Sequence, residues 1–130
     1  MNARRRNPTF VPLFTRYWLP VLAYVAGIAF LSSQPHLQSP LHFPESDKLM
    51  HVLEYLGLGW LLARAWRATA EAQRPLALAL IAISCGIVVG ASDEFYQSFV
   101  PGRDSSGYDL LADTAGLTLA QIVYRALLRD

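Results

Sequence analysis

Four stretches of the chain are apolar over about the length of a membrane crossing, and each is bounded by charge, proline or glycine. A bilayer core about 30 Å thick takes roughly 20 mostly apolar residues of helix to cross. The first stretch, about 17–33, contains WLPVLAYVAGIAFL and carries Pro20 in its first turn, where a missing N–H is tolerated. The second, about 47–65, opens with charge and holds a glutamate inside. The third, about 76–92, reads LALALIAISCGIVVGAS and is uncharged. The fourth, about 109–128, holds Asp109 and Asp113 in its first turns and then runs apolar to Tyr124. The pattern predicts an all-α membrane protein, a bundle of four transmembrane helices in one domain over residues 1–130, with 1–15 as a basic cytoplasmic tail. A signal peptide is the alternative for the first stretch, behind Arg4, Arg5 and Arg6. The LSSQP that follows lacks a small-x-small cleavage site, and a true span makes the number of crossings even.

Composition narrows the class. Of 130 residues, 53% are hydrophobic and 16% charged, against about 25% charged in soluble domains. Mean hydropathy is +0.26. Disorder and a disulfide scaffold are excluded, the latter by a single cysteine. A net charge of +1 offers no basic balance for nucleic acid. Cys85, in mid-span, reads as an inert core thiol.

The placement of charge predicts the topology. With the N-terminus inside, Arg4, Arg5, Arg6, Arg16, Arg64, Arg67, Arg74, Arg125 and Arg129 fall on the inner side, and only Lys48 and Arg103 on the outer. Lys and Arg collect on cytoplasmic flanks, so both termini are expected inside, in a bacterial inner membrane. The acids divide the other way. Glu45, Asp47, Glu54, Asp93, Glu94, Asp104, Asp109 and Asp113 map to the outer half, and only Glu71 and Asp130 to the inner. The positive-inside rule does not require that bias, and acids at membrane depth are costly unless paired or wet.

Helix period places these groups on faces. Asp47, His51 and Glu54 sit at i, i+4 and i+7, with Tyr55 adjoining. Asp93 and Gln97 share a face, with Glu94 beside it. Asp109 and Asp113 share one that continues through Gly116 and Ala120, a polar stripe above and a small-residue stripe below. Turned inward, these faces bring Asp47, His51, Glu54, Asp93, Gln97, Asp109 and Asp113 together near the outer surface, with Lys48 and Arg103 as the fixed cations. Gly86-xxx-Gly90 reads as a helix-packing motif, within the bundle or in a homo-oligomer.

Three motifs carry a family resemblance. D-K-x-x-H-x-x-E-Y at Asp47, Lys48, His51, Glu54 and Tyr55 resembles the first signature of VanZ-like membrane proteins. D-E-x-x-Q-x-F-x-P-G-R at Asp93, Glu94, Gln97, Phe99, Pro101, Gly102 and Arg103 resembles the second, and D-x-x-x-D-x-x-G at Asp109, Asp113 and Gly116 the third. They occur in order from Asp47 onward. This chain has Glu54 where an apolar or aromatic residue is more usual, and Asp113-Thr114 in place of an alanine-asparagine pair. The resemblance implies a small bacterial envelope protein. The founding member is associated with teicoplanin resistance, and no reaction is established for the family.

The chemistry of the cluster has competing readings. His51 and Glu54 are half a metal site, or His51 hydrogen-bonds across the bundle; without an HExxH or a cysteine pair the second is favoured, and no metal or cofactor is expected. The acids are a proton-sharing catalytic pair or a neutralised structural network. Arg103, after the Pro101-Gly102 turn, is expected to pair with Asp109 or Asp113 rather than with a lipid headgroup, because acids outnumber cations here. The leading expectation is an outward polar pocket for a lipid or lipid-linked envelope component. The alternatives are a hydrolase or transferase with Glu54 or Asp93 as general acid or base, and an ion- or proton-coupled transport element. No serine or cysteine stands beside a histidine as an activated nucleophile, which weighs against an enzyme. An apolar inner half weighs against a continuous ion path.

Overall fold

The computed structural model describes residues 10–70 and 73–128. The predicted topology signals Arg4, Arg5, Arg6 and Arg129, and the inner acids Glu71 and Asp130, lie outside the described residues. Among the described residues the fold is four helices and no strand. They are α1 (Phe10–Ser32), α2 (Ser46–Thr69), α3 (Pro75–Gln97) and α4 (Gly107–Leu128).

Local chemistry sets the ends. α1 is already helical at Phe10, inside the stretch expected as tail. Pro20 is therefore interior rather than in a first turn. It follows a π turn over Phe14–Trp18, closed by the Leu19 N–H on the Phe14 carbonyl. A π turn is the local widening that lets a helix continue past such an interruption. α3 begins with Pro75, whose absent N–H would be unsatisfied there anyway. Ser106 caps α4, its hydroxyl accepting the Tyr108 N–H at 3.1 Å. Glu45, with φ of 60°, turns the chain sharply into α2.

α2 packs most extensively against α4, α3 leans on both, and α1 lies along α2 and α3. Missing side chains allow the close approach. A Cβ on Gly116 would strike the Val52 carbonyl and come within 2.9 Å of the Leu56 nitrogen. One on Gly59 would meet the Ala120 Cβ at 2.7 Å and the Leu117 Cα at 3.1 Å. Gln121 Nε2 donates to the Gly59 carbonyl at 2.9 Å, an interhelical bond made by a buried amide. Gly86 faces the Leu117 side chain and Gly90 faces Asp113, so both glycines pack within this chain. The apolar core lies across the middle of the bundle, built from Val21, Ile28, Tyr55, Leu58, Leu62, Ala65, Ala82 and Leu117.

The outside is as apolar as the inside. Leu22, Phe30, Leu53, Leu80, Val88, Leu119 and Ile122 all point outward. α1 and α3 are long and apolar enough to cross a membrane. α2 and α4, with 24 and 22 residues, are as long but carry more charge. The two ends of the bundle differ. At one, Trp18 meets Trp66 edge-on at 5.1 Å, and Arg64 and Arg67 lie over the Tyr17 and Tyr124 rings at 5.0 and 4.5 Å. Arginine and aromatic rings thus interleave there. At the other end gather Ser32, Asp47, His51, Asp93, Gln97, Asp109 and Asp113.

The α2–α4 contact makes a testable distinction. Gly116→Ala is expected to cost about 1–3 kcal/mol, because the atom it meets belongs to a helix backbone that cannot swing aside. Gly27→Ala, with nothing within 4 Å of its Cβ position, should leave stability unchanged. Thermal unfolding of both variants in detergent checks this, and equal melting temperatures for Gly116→Ala and wild type would refute the contact.

Candidate functional site

The polar end resolves into two hydrogen-bonded groups and a cleft. The first group joins α2 to α4. Lys48, one turn into α2, places Nζ 2.6 Å from both Asp47 Oδ2 and Asp109 Oδ1. One turn deeper, His51 Nδ1 lies 2.7 Å from Asp113 Oδ1, within hydrogen-bond distance. His51 Nε2 faces Asp109 Oδ1 at 3.9 Å, and its Nδ1 is 4.0 Å from Glu94 Oε1 on α3. Glu94 is held from the side by the loop before α4. Its Oε2 accepts the Ser105 hydroxyl at 3.1 Å and the Ser106 N–H at 3.2 Å. Glu94 Oε1 and Asp113 Oδ2 have no hydrogen-bond partner among the described residues. One ligand-type atom each from His51, Glu94 and Asp109 lie within 4.8 Å of one another.

The second group joins α1 to α3. Asp93 Oδ2 accepts the Ser32 hydroxyl at 2.7 Å and the Gln97 amide at 2.8 Å, and Gln97 also donates to Ser32 at 3.1 Å. All three residues are buried. A carboxylate placed this deep needs such donors.

The cleft, about 1010 Å³, opens between α1, α2, the 37–40 segment and Gly102–Asp104. Its apolar wall includes Ala23, Gly27, Phe30, Leu31 and Leu53. Its polar end is lined by Asp47, His51, Glu54, Gln97 and Arg103. Glu54 is half-buried and forms no ion pair among the described residues. Its carbonyl accepts the Tyr24 hydroxyl at 2.9 Å, which ties α1 to α2 below the polar end.

Two expectations are corrected. Arg103 pairs with neither Asp109 nor Asp113 among the described residues; its Nη1 donates to the Leu37 carbonyl at 3.2 Å. Lys48 and His51 already hold those acids from α2. Gly102, at φ of 74° and against the His36 ring, turns the chain so that Arg103 meets the 34–46 connection. Of the residues expected in one polar pocket, Lys48, Tyr55, Asp93, Glu94, Asp109 and Asp113 do not line this cleft. Tyr55 is wholly buried in the apolar core, one residue round the helix from Glu54.

Several site residues escaped the sequence reading. Ser32 continues the buried stripe of Val21 and Ile28, which was its only signal. Ser105, Ser106, Tyr24 and His36 act through contacts between distant segments and have no local pattern.

The depth of each pair decides its weight. His51→Ala leaves the fully buried Asp113 carboxylate without its partner. The expected loss is about 3–5 kcal/mol. Asp47→Asn removes a pair at the rim, where the Asp47 side chain is 56% exposed, and should cost about 0–1 kcal/mol. Detergent unfolding curves distinguish the two, and a His51→Ala protein as stable as Asp47→Asn would contradict the buried pair.

No curated protein and no solved structure gives a significant match to the chain. The family model described as VanZ/LLP1 matches residues 14–129, a range that takes in α1 from Phe14 onward, the other three helices, both buried groups and the cleft. The chain therefore belongs to the VanZ/LLP1 family, as its three motifs indicated.

Proposed function

We propose that this VanZ-like protein crosses the bacterial inner membrane four times, with both termini cytoplasmic, and binds a lipid or lipid-linked headgroup at its outward polar end. One observation carries the reading: a single cleft joins an apolar wall on α1 and α2 to a polar end holding Arg103, Gln97 and Glu54. A lipid has that same division. Acyl or prenyl chain would lie along Ala23, Gly27 and Phe30, and the headgroup would reach Arg103, whose planar fork suits phosphate. Glu54 and Asp47 would accept from a headgroup hydroxyl or amine. The arginine–aromatic end supports the orientation, since both residue types collect at the cytoplasmic interface in that arrangement. α2 and α4 span roughly 33–36 Å at 1.5 Å per residue, enough to cross with their acids at one surface.

Native mass spectrometry of the detergent-purified protein tests the binding. A co-purifying phosphate-bearing lipid is expected on wild type, reduced about tenfold or more in Arg103→Ala, as for loss of a charge-assisted contact. Equal lipid on both proteins, or none on wild type, would remove the proposal.

A hydrolase or transferase acting on the same headgroup is the second reading, favoured by Glu54, which lines the cleft and forms no ion pair among the described residues. There Glu54 would serve as general acid or base. Turnover of the bound lipid by purified protein, lost in Glu54→Gln, would establish it; binding without turnover rejects it. An ion-coupled pathway draws less support, because the apolar core closes the bundle below the polar end.

A further inference from the structure

We propose that His51, Glu94 and Asp109 form a binding site for one divalent transition-metal ion, set in the wall behind the cleft. The site stands apart from the lipid reading, since its atoms are held by α2, α3 and α4 and need no ligand in the cleft. Geometry is the first ground. One nitrogen of His51 and one oxygen each of Glu94 and Asp109 lie within 4.8 Å of one another. Atoms bound tetrahedrally at about 2.0–2.1 Å from a metal sit roughly 3.4 Å apart. A closure of about an ångström by flexible carboxylates therefore completes the set.

The second ground is independent. Glu94 is 7% exposed, and its Oε1, 4.0 Å from His51 Nδ1, has no hydrogen-bond partner among the described residues. Its other oxygen is fixed by Ser105 and Ser106, so the bare one is aimed at the cluster. A buried carboxylate oxygen left bare is costly unless a cation serves it. Among the described residues, three buried acids, Glu94, Asp109 and Asp113, face Lys48 and His51 alone as hydrogen-bonded or ion-paired partners able to carry positive charge.

The surroundings supply orientation. His51 Nδ1 lies 2.7 Å from Asp113 Oδ1 and Nε2 lies 3.9 Å from Asp109 Oδ1, so the tautomer with its hydrogen on Nδ1 leaves Nε2 free to face the ion. That is the carboxylate–histidine relay that holds metal-ligating imidazoles. One nitrogen with carboxylate oxygens suits zinc, iron or manganese better than magnesium or calcium, which prefer oxygen alone. Lys48 Nζ, 2.6 Å from Asp109 Oδ1, competes with the ion for that oxygen. It retains Asp47 as partner when the ion takes Asp109.

The test uses the full chain in detergent, stripped with chelator and titrated with Zn²⁺ by calorimetry. One ion per chain is expected, resistant to millimolar Mg²⁺ and raising the melting temperature of the wild-type protein. Glu94→Gln removes a ligand, and Asp113→Ala removes the orienting bond. Each should weaken binding by at least about tenfold, the scale of a lost outer-shell partner. Lys48→Met should tighten it. The variant His42→Ala, which removes an exposed imidazole outside the site, should bind as wild type does. The proposal is overturned if folded wild type takes up well under one ion per chain, if Glu94→Gln binds as tightly as wild type, or if His42→Ala loses binding. The wild-type titration and melting shift decide the matter even where a variant fails to fold.

Discussion

The close approach of α2 and α4 is the constraint on which the rest depends. Gly116 lets the α2 backbone at Val52 and Leu56 come into direct contact with α4, and Gly59 does the same from the other side. At that separation a lysine and a histidine on α2 reach Asp109 and Asp113 on α4 directly. A wider gap would leave two carboxylates in the apolar interior with nothing to neutralise them. Each helix contributes what the other lacks, small residues below and opposite charges above. The packing contact and the polar group are therefore a single design, with the first setting the distance the second requires.

α3 and α1 extend that arrangement by the same logic. Asp93 and Glu94 are adjacent in sequence but point to different neighbours. Asp93 turns to Ser32 on α1, and Glu94 turns to the α2–α4 group and the serines before α4. Neighbouring helical residues differ by about 100° in direction, so a consecutive pair of acids serves two interfaces. The result is a bundle whose four helices are joined at one end by polar contacts, with α1, α2 and α4 joined at the other by ring and guanidinium contacts and an aliphatic core between. Acids gather at one end, and arginines with aromatic rings at the other.

Much of this was legible in the chain. Helix count and approximate ends follow from apolar runs bounded by Pro75, Gly107 and the proline-rich connection. The grouping of Asp47, His51 and Glu54, of Asp93 and Gln97, and of Asp109 and Asp113 follows from helical period, because 3.6 residues per turn is a local property. The extent of α1 was underestimated, since the π turn that carries the helix past Pro20 has no local marker.

Partnership was decided only by tertiary structure. Charge counting alone could not assign Asp109 and Asp113 to Lys48 and His51 rather than to Arg103, because pairing depends on the depth and rotation of facing helices. A single φ at Gly102 moved Arg103 to the rim of the cleft. Tyr55 and Glu54 are neighbours in sequence, yet a rotation of about 100° sends one into the core and leaves the other in the cleft. The chain by itself determined which residue types lie on which helical face. How those faces meet, and so which acid holds which base and which oxygen stays bare, was set by the glycine-mediated contact between α2 and α4, an event between residues some sixty positions apart.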